Sequence, residues 1–196
     1  MTLKKEEIKR KIIHLCNSVI PLSYYFFIED KIMMIWILLI ITIIFASIDF
    51  FRSRINWIKK YFHMFFNSML RQHELDGKIT GATWVLAGST ITVFLFNRDI
   101  AVLSLLFMSV GDTVAALVGQ KYGKIKIGNK SLEGFVGGLI ACILVSPFFP
   151  SITWLNKILG SFSASLVELC PLSIDDNLVI PVISGSVMAY IKSLGL

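Results

Sequence analysis

Residues Ile100–Gly134 read IAVLSLLFMSVGDTVAALVGQKYGKIKIGNKSLEG, and the reading of this stretch decides the fold. Its first part, Ile100–Val118, is an apolar run close to the roughly 17–25 residues that cross a bilayer as a helix. It holds one carboxylate, Asp112, and is followed by Lys121, Lys124, Lys126 and Lys130. An ionised carboxylate at that depth is costly, so Asp112 is expected to face the protein interior and to have a partner there.

The rest of the chain has the same character. Its 196 residues are 55% hydrophobic and only 16% charged, with a mean hydropathy of +0.73. A soluble domain of this length cannot bury that much apolar surface, so hydrocarbon must serve as solvent for most of it. Further apolar runs cover Ile12–Ile28, Ile32–Phe50, Ala82–Phe96 and Phe135–Phe149. Less clean runs, Leu155–Leu169 and Leu178–Leu194, flank a turn-like acidic break at Pro171–Asn177. The pattern predicts an all-α, polytopic transmembrane helical bundle of about seven spans, or six if Leu155–Leu169 does not cross. Connections are short and no internal repeat is present, which predicts one domain over residues 1–196.

Basic residues set the orientation. Lys4, Lys5, Lys9, Arg10 and Lys11 precede the first run, and Arg52, Arg54, Lys59, Lys60, Arg71 and Lys78 lie between the second and third. The lysines at 121–130 lie between the fourth and fifth, whereas the alternate connections hold only Lys31, Arg98 and Lys157. The N-terminus and the lysine-rich rim are therefore expected to face the cytoplasm from the cytoplasmic (inner) membrane. The leading MTLKKEEIKRK has no small-residue cleavage site and reads as a retained tail. The net charge of +6 sits between apolar runs, which points to topology and to head groups or phosphates, not to nucleic acid. Cys16, Cys142 and Cys170 lie at unrelated spacings in apolar surroundings and read as small hydrophobes, with no zinc-ligand spacing.

Between the second and third runs Phe51, Ile55, Ile58, Phe62, Phe65 and Met69 recur at helical spacing. Arg52, Asn56, Lys59, His63 and Asn67 fall opposite them. This predicts one amphipathic helix lying in the membrane interface, placed to guide a lipid.

The stretch Gly111–Gly134 joins Asp112, four lysines, several glycines and a second carboxylate, Glu133. That mixture suits a metal-bound polyphosphate. A carboxylate holds Mg²⁺, lysines neutralise phosphate oxygens, and glycines let backbone N–H groups approach. The bland reading of Asp112 is a structural hydrogen bond to a neighbouring helix. Gly123–Ser131 nearly matches a P-loop, but Asn129 interrupts Gly-Lys-Ser and the segment joins two spans instead of a strand and a helix. Arg10, Lys11 and His14 form a second group, which positive-inside anchoring and a core histidine would also explain. Asp49, Glu74, Glu168, Asp175, Asp176 and Asn177 supply further polar groups, and His63 and His73 read as interfacial.

The run GDTVAALVGQKYGKIKIGNKSLEG closely resembles the central signature of the CTP-dependent polyisoprenoid and lipid alcohol kinases. These are dolichol kinase, phytol kinase and the fungal-type diacylglycerol kinase. Arg10-Lys11-x-x-His14, Gly81-Ala82-Thr83-Trp84, Glu168 and Ile174-Asp175-Asp176-Asn177 extend the match in order along nearly the whole chain. The resemblance implies a membrane fold, CTP as phosphoryl donor, and transfer of its γ-phosphate to a lipid hydroxyl. It carries the family's functional positions onto Arg10, Lys11, Asp112 and Gly119, beside the lysine-rich loop. The short chain lacks the additional spans of dolichol kinase, placing it nearer the compact phytol-kinase-like and bacterial members.

The expected site therefore has Asp112, Arg10, Lys11 and His14 as catalytic residues. Gly111, Thr113, Gly119, Lys121, Lys124, Lys126, Lys130, Ser131, Glu133 and Asn177 would surround the nucleotide. Asp112 would hold Mg²⁺, with Glu133 or Asp176 as a second ligand. His14, Asp49 and Glu168 are the candidates for general base, and the acceptor remains open among polyprenols, phytol- or farnesol-like alcohols and diacylglycerol. A phosphatidate cytidylyltransferase would also use CTP and Mg²⁺, but the paired Lys-Asp and His-Gly-Gly runs typical of it are absent. A small membrane transporter accommodates Asp112 in mid-helix yet leaves the lysine-rich loop without a role.

Overall fold

A computed structural model describes residues 5–66, 70, 72–75, 77–171 and 174–195 of the chain. Lys4, Asn67, Met69, Arg71 and Ser173 lie outside the described residues, as do the side chains of Lys5, His63, Phe65 and His73. Among the described residues the fold is all-helical apart from one two-stranded hairpin.

The first apolar run is two helices, α1 (Lys5–Cys16) and α2 (Val19–Phe26), where the sequence predicts one span. Pro21 is the physical reason. It has no N–H to give the Asn17 carbonyl, and its ring clashes with that carbonyl in a continuous helix. The carbonyl instead accepts the Ile20 N–H at 3.0 Å, and the chain turns at Asn17-Ser18. Helix α3 (Lys31–Arg54) starts on Asp30, whose carboxylate accepts the Ile32 N–H, and runs past Phe50. The amphipathic helix is therefore shorter than its periodicity suggests: α4 is Asn56–Phe66. Ile55, Ile58 and Phe62 are half-buried while Trp57, Lys60, Tyr61 and Met64 are exposed. Arg52, expected on the polar face of that helix, belongs to α3 and is 2% exposed.

After the short α5 (Gln72–Leu75) come α6 (Gly81–Leu95), α7 (Arg98–Leu106), a π-helical turn (Phe107–Gly111) and α8 (Asp112–Tyr122). The last three form one rod. Strands β1 (Lys126–Ile127) and β2 (Lys130–Ser131) pair antiparallel, Lys126 opposite Ser131 and Ile127 opposite Lys130. Gly128 takes the first central turn position with φ +59°, the conformation that a two-residue hairpin loop requires there. Then follow α9 (Leu132–Val145), a 3₁₀ turn (Ser146–Phe148), α10 (Trp154–Leu169) and α11 (Asp176–Ser193).

The rod Arg98–Tyr122 is the axis of the bundle. Ile100 through Ser109 are all buried, against α2, α6, α9, α10 and α11. Helix α3 is peripheral and packs on α6 and α4. By length and composition α3 and the rod can each cross a membrane, and Gly81–Leu95 and Leu132–Phe148 are shorter apolar helices. Polar anchors mark the two ends of the bundle. At one end Arg98 donates to the carbonyls of Tyr24 and Tyr25, Lys31 donates to the carbonyl of Phe96, and Ser151 donates to Asp99. At the other, Lys130 meets Glu168 and Asp176. Helix α10 thus runs from one end to the other, its N-terminus beside Ser151 and its last turn at Glu168.

Candidate active site

The π turn ends at Gly111 and delivers Asp112. One extra residue in a helical turn swings the following side chains by about 100° around the axis, and such turns recur at functional sites. Here the swing aims Asp112 at α1. Lys11 Nζ donates to its Oδ2 at 2.7 Å, and His14 Nε2 lies 3.1 Å from the same oxygen. His14 Nε2 is also 3.1 Å from the Met108 carbonyl. Both neighbours are acceptors, so Nε2 carries the hydrogen. Lys11 and Asp112 are both buried, and a buried charge of either sign needs such a partner.

Helix α9 lies unusually close behind α8 because small residues face each other. A Cβ at Gly134 would stand 2.7 Å from the Ala115 carbonyl, and one at Gly119 would stand 2.9 Å from Ser131 Oγ. One at Gly111 would stand 2.6 Å from Cys142 Sγ. Gly111 and Gly119 therefore face α9. Thr113 donates its hydroxyl to the Ser109 carbonyl at 2.6 Å, and Ser131 caps α9 by accepting the Gly134 N–H at 3.1 Å. Glu133 turns back and accepts the Ile125 N–H, bracing the hairpin.

The hairpin carries Lys130 across to α10 and α11. Its Nζ is 3.1 Å from Glu168 Oε1 and 3.3 Å from Asp176 Oδ2, and it also donates to the Glu168 carbonyl. Burial works to lower the Lys130 pKa, but the carboxylates of Asp176, Glu168 and Asp112 outweigh it and hold the ammonium above its ordinary value. Asp112 is thus within electrostatic reach of this second cluster. Lys121, Lys124 and Lys126 are exposed along the same loop, with Lys121 over the Tyr122 ring.

Two cavities meet these clusters. One of about 880 Å³ and mixed character is lined by Lys78, Trp84, Asn129, Lys130, Asp175 and Asp176, with apolar groups such as Ile127, Leu169 and Ile174. A mainly apolar one of about 480 Å³ has Arg10, Lys11, His14, Glu74, Asp112 and Asn177 at its polar part. The N-terminal ends of α6 and α11 stand between them: Trp84 and Asp176 line the first, Gly81 and Asn177 the second. These two helices approach closely at Gly88, where a Cβ would meet the Asn177 carbonyl at 2.5 Å. Glu133 lines neither cavity.

Among the described residues no three His, Cys, Asp or Glu side chains gather as a metal cage. Asp112 and Asp176, each at the wall of a different one of the two cavities, are nevertheless hard oxygen donors. That suits Mg²⁺, which is held by one or two carboxylates plus substrate phosphates.

A network named only in part from the sequence frames the apolar cavity. Asp49 accepts four hydrogen bonds, from Arg52 Nε at 2.7 Å, the Thr80 N–H, the Thr80 hydroxyl and the Thr83 hydroxyl. Arg52 also donates to the carbonyls of Glu74 and Lys78, and Glu74 accepts the Gly81 N–H at 2.7 Å. Three of these donors, all from Thr80 and Thr83, converge on Oδ2 while Arg52 holds Oδ1, so Asp49 fixes the start of α6. The i, i+3 pair Asp49/Arg52 at the end of an apolar run was the available signal for this brace.

No protein-family model matches the chain, and no solved structure matches it. It is 32% identical to an uncharacterized protein of Rickettsia prowazekii, over 94% of this chain and 96% of that one. It is 30% identical to CTP-dependent diacylglycerol kinase 1 of Saccharomyces cerevisiae, over 97% of this chain and 76% of that one. It is also 28% identical to a probable chloroplastic phytol kinase of Triticum aestivum, over 58% of this chain and 45% of that one. The chain belongs to the family of the CTP-dependent diacylglycerol kinases and the phytol kinases.

Proposed function

We propose that this protein is an integral membrane kinase, one domain over residues 1–196, that transfers the γ-phosphate of CTP to the hydroxyl of a lipid alcohol. The observation that carries the reading is the Lys11–Asp112–His14 cluster, buried at the polar part of an apolar cavity and within electrostatic reach of Lys130. A soluble kinase has no need of an apolar chamber beside its phosphate-binding groups, and a lipid carrier has no need of the cations. The similarity to a CTP-dependent diacylglycerol kinase supports CTP as the donor.

Phosphoryl transfer to an alcohol asks a protein mainly for positioning and charge neutralisation. The cavity of about 880 Å³ receives CTP, with Lys130 on its phosphates and Trp84 offering a face to the base. Arg10 and Lys11 take up the charge that develops on the transferring group. Lys121, Lys124 and Lys126 attract the nucleotide from outside. Asp112 would hold Mg²⁺, which when bound neutralises phosphate oxygens, and Asp176 would offer a further carboxylate on the CTP side. His14, on the same oxygen of Asp112 as Lys11, orients that carboxylate. Asp49 is occupied by four donors and does not serve as base.

The rim of Arg10, Lys11 and the hairpin faces the cytoplasm, and seven helical segments cross the membrane, with α1 and α2 together forming the first. The end-to-end course of α10 supports that count. Purified protein in vesicles, given CTP and a panel of lipid alcohols, should yield a lipid monophosphate and CDP by mass spectrometry. Release of pyrophosphate with a cytidylyl-lipid would overturn the reading.

A further inference from the structure

We infer that the lipid alcohol reaches this site sideways from the bilayer, through a window between α1 and α3. The inference rests on the kinase reading and adds the route and the seat of the acceptor. The apolar cavity is bounded on one side by α1, which packs on α8 and the π turn, and on the other by α3, which packs on α6 and α4. Among the described residues α1 and α3 share no extended interface. That gap between the two helices, among the described residues, is where we place the window.

The residues at that opening are of the wrong kind for water. Ile13 is 40% exposed, and Phe45 and Ile48 are each 39% exposed, although all three line the cavity. Outward from them α3 presents Ile40, Ile43 and Ile44, all exposed. Inside, Ala82 and Val85 continue the apolar lining, and the polar groups gather at Lys11, His14, Asp112 and Asn177. Phe62 of α4 lines the same cavity, under the Arg52 guanidinium at 4.7 Å, so the amphipathic helix bounds it as well. An occupant must therefore be apolar along its length, polar at one end, and supplied from hydrocarbon. A membrane-resident alcohol has that chemistry; a soluble metabolite does not.

The window also sets what is selected. At about 480 Å³ the cavity is of ordinary small-ligand size. Only the part of the acceptor nearest its hydroxyl needs to fit, because the remainder trails into the bilayer. Turnover should discriminate sharply on the shape of the first carbons and weakly on chain length beyond the window.

Ile48→Trp and Ile13→Trp test the route by narrowing the opening from the lipid side. In vesicles the KM for the lipid alcohol should rise about tenfold while that for CTP stays within about twofold. Independently, an alcohol with a diazirine in its chain, photolysed in vesicles holding wild-type protein, should label peptides of α1 and α3. Unlabelled alcohol should compete that labelling away. Label confined to α9 and α10, absence of competable label, or unchanged lipid KM in well-folded tryptophan variants would each overturn the window. Competable label on α1 and α3 in a protein that phosphorylates no alcohol would leave the window standing and sink the kinase reading instead.

Discussion

Lys11 and Asp112, 101 positions apart, are joined by a buried 2.7 Å ion pair that ties α1 to the first turn of α8. The pair gives each residue two roles, one in stability and one in the chemistry, and the two can be separated. Asp112→Asn or Lys11→Met leaves one buried charge without its partner, which typically costs about 3–5 kcal/mol. Thermal unfolding in detergent micelles should show a large drop in Tm for each single variant. The double variant should recover most of the stability and none of the activity.

Asp49→Asn separates a brace from a base. It removes the ion pair with Arg52 and should destabilise by about 3–5 kcal/mol. Turnover per folded molecule should fall far less than the about 10²–10⁴-fold expected when a general base is lost. Active-site titration beside the Tm measurement distinguishes these outcomes.

Two glycines of the central stretch should respond for different reasons. Gly134→Ala drives a Cβ to 2.7 Å from the Ala115 carbonyl and must push α9 off α8. Overpacking of this kind costs about 1–3 kcal/mol, and here it also displaces the hairpin. Gly128→Ala meets nothing within 4 Å, and only its positive φ resists the change, at about 1–2 kcal/mol. Activity should therefore suffer more in Gly134→Ala than in Gly128→Ala at matched stability.

The chain's helical order was legible because apolar runs of spanning length leave little choice of structure. Asp112 was legible because a lone carboxylate in such a run demands a partner. The identity of that partner was a tertiary fact. It depends on a π turn at Phe107–Gly111 and on the break that Pro21 puts between α1 and α2. Neither the turn nor the break is visible in hydrophobic periodicity. The same periodicity misassigned Arg52, since a helical wheel cannot register a guanidinium drawn inward by Asp49 and two carbonyls. Glycines that could equally serve a ligand or a neighbour face a neighbour, α9.

Lys130 should leave a signature at high pH. Its folded-state pKa is raised, against burial, by Asp176, Glu168 and Asp112. Its contribution to stability is therefore complete below the ordinary lysine value of about 10.4 and is lost as pH climbs through the higher folded value. Wild-type Tm should fall over that alkaline range more steeply than that of Lys130→Met, measured by thermal unfolding from pH 8 upward.

The most direct test of the central claim follows the γ-phosphorus of CTP. Wild-type protein in vesicles should move a γ label from CTP onto the hydroxyl of a lipid alcohol. Asp112→Asn, matched for insertion, should do so slower by about 10²–10³-fold or more. Near-normal transfer by Asp112→Asn, or no γ label in the lipid of the wild-type reaction, would contradict the account.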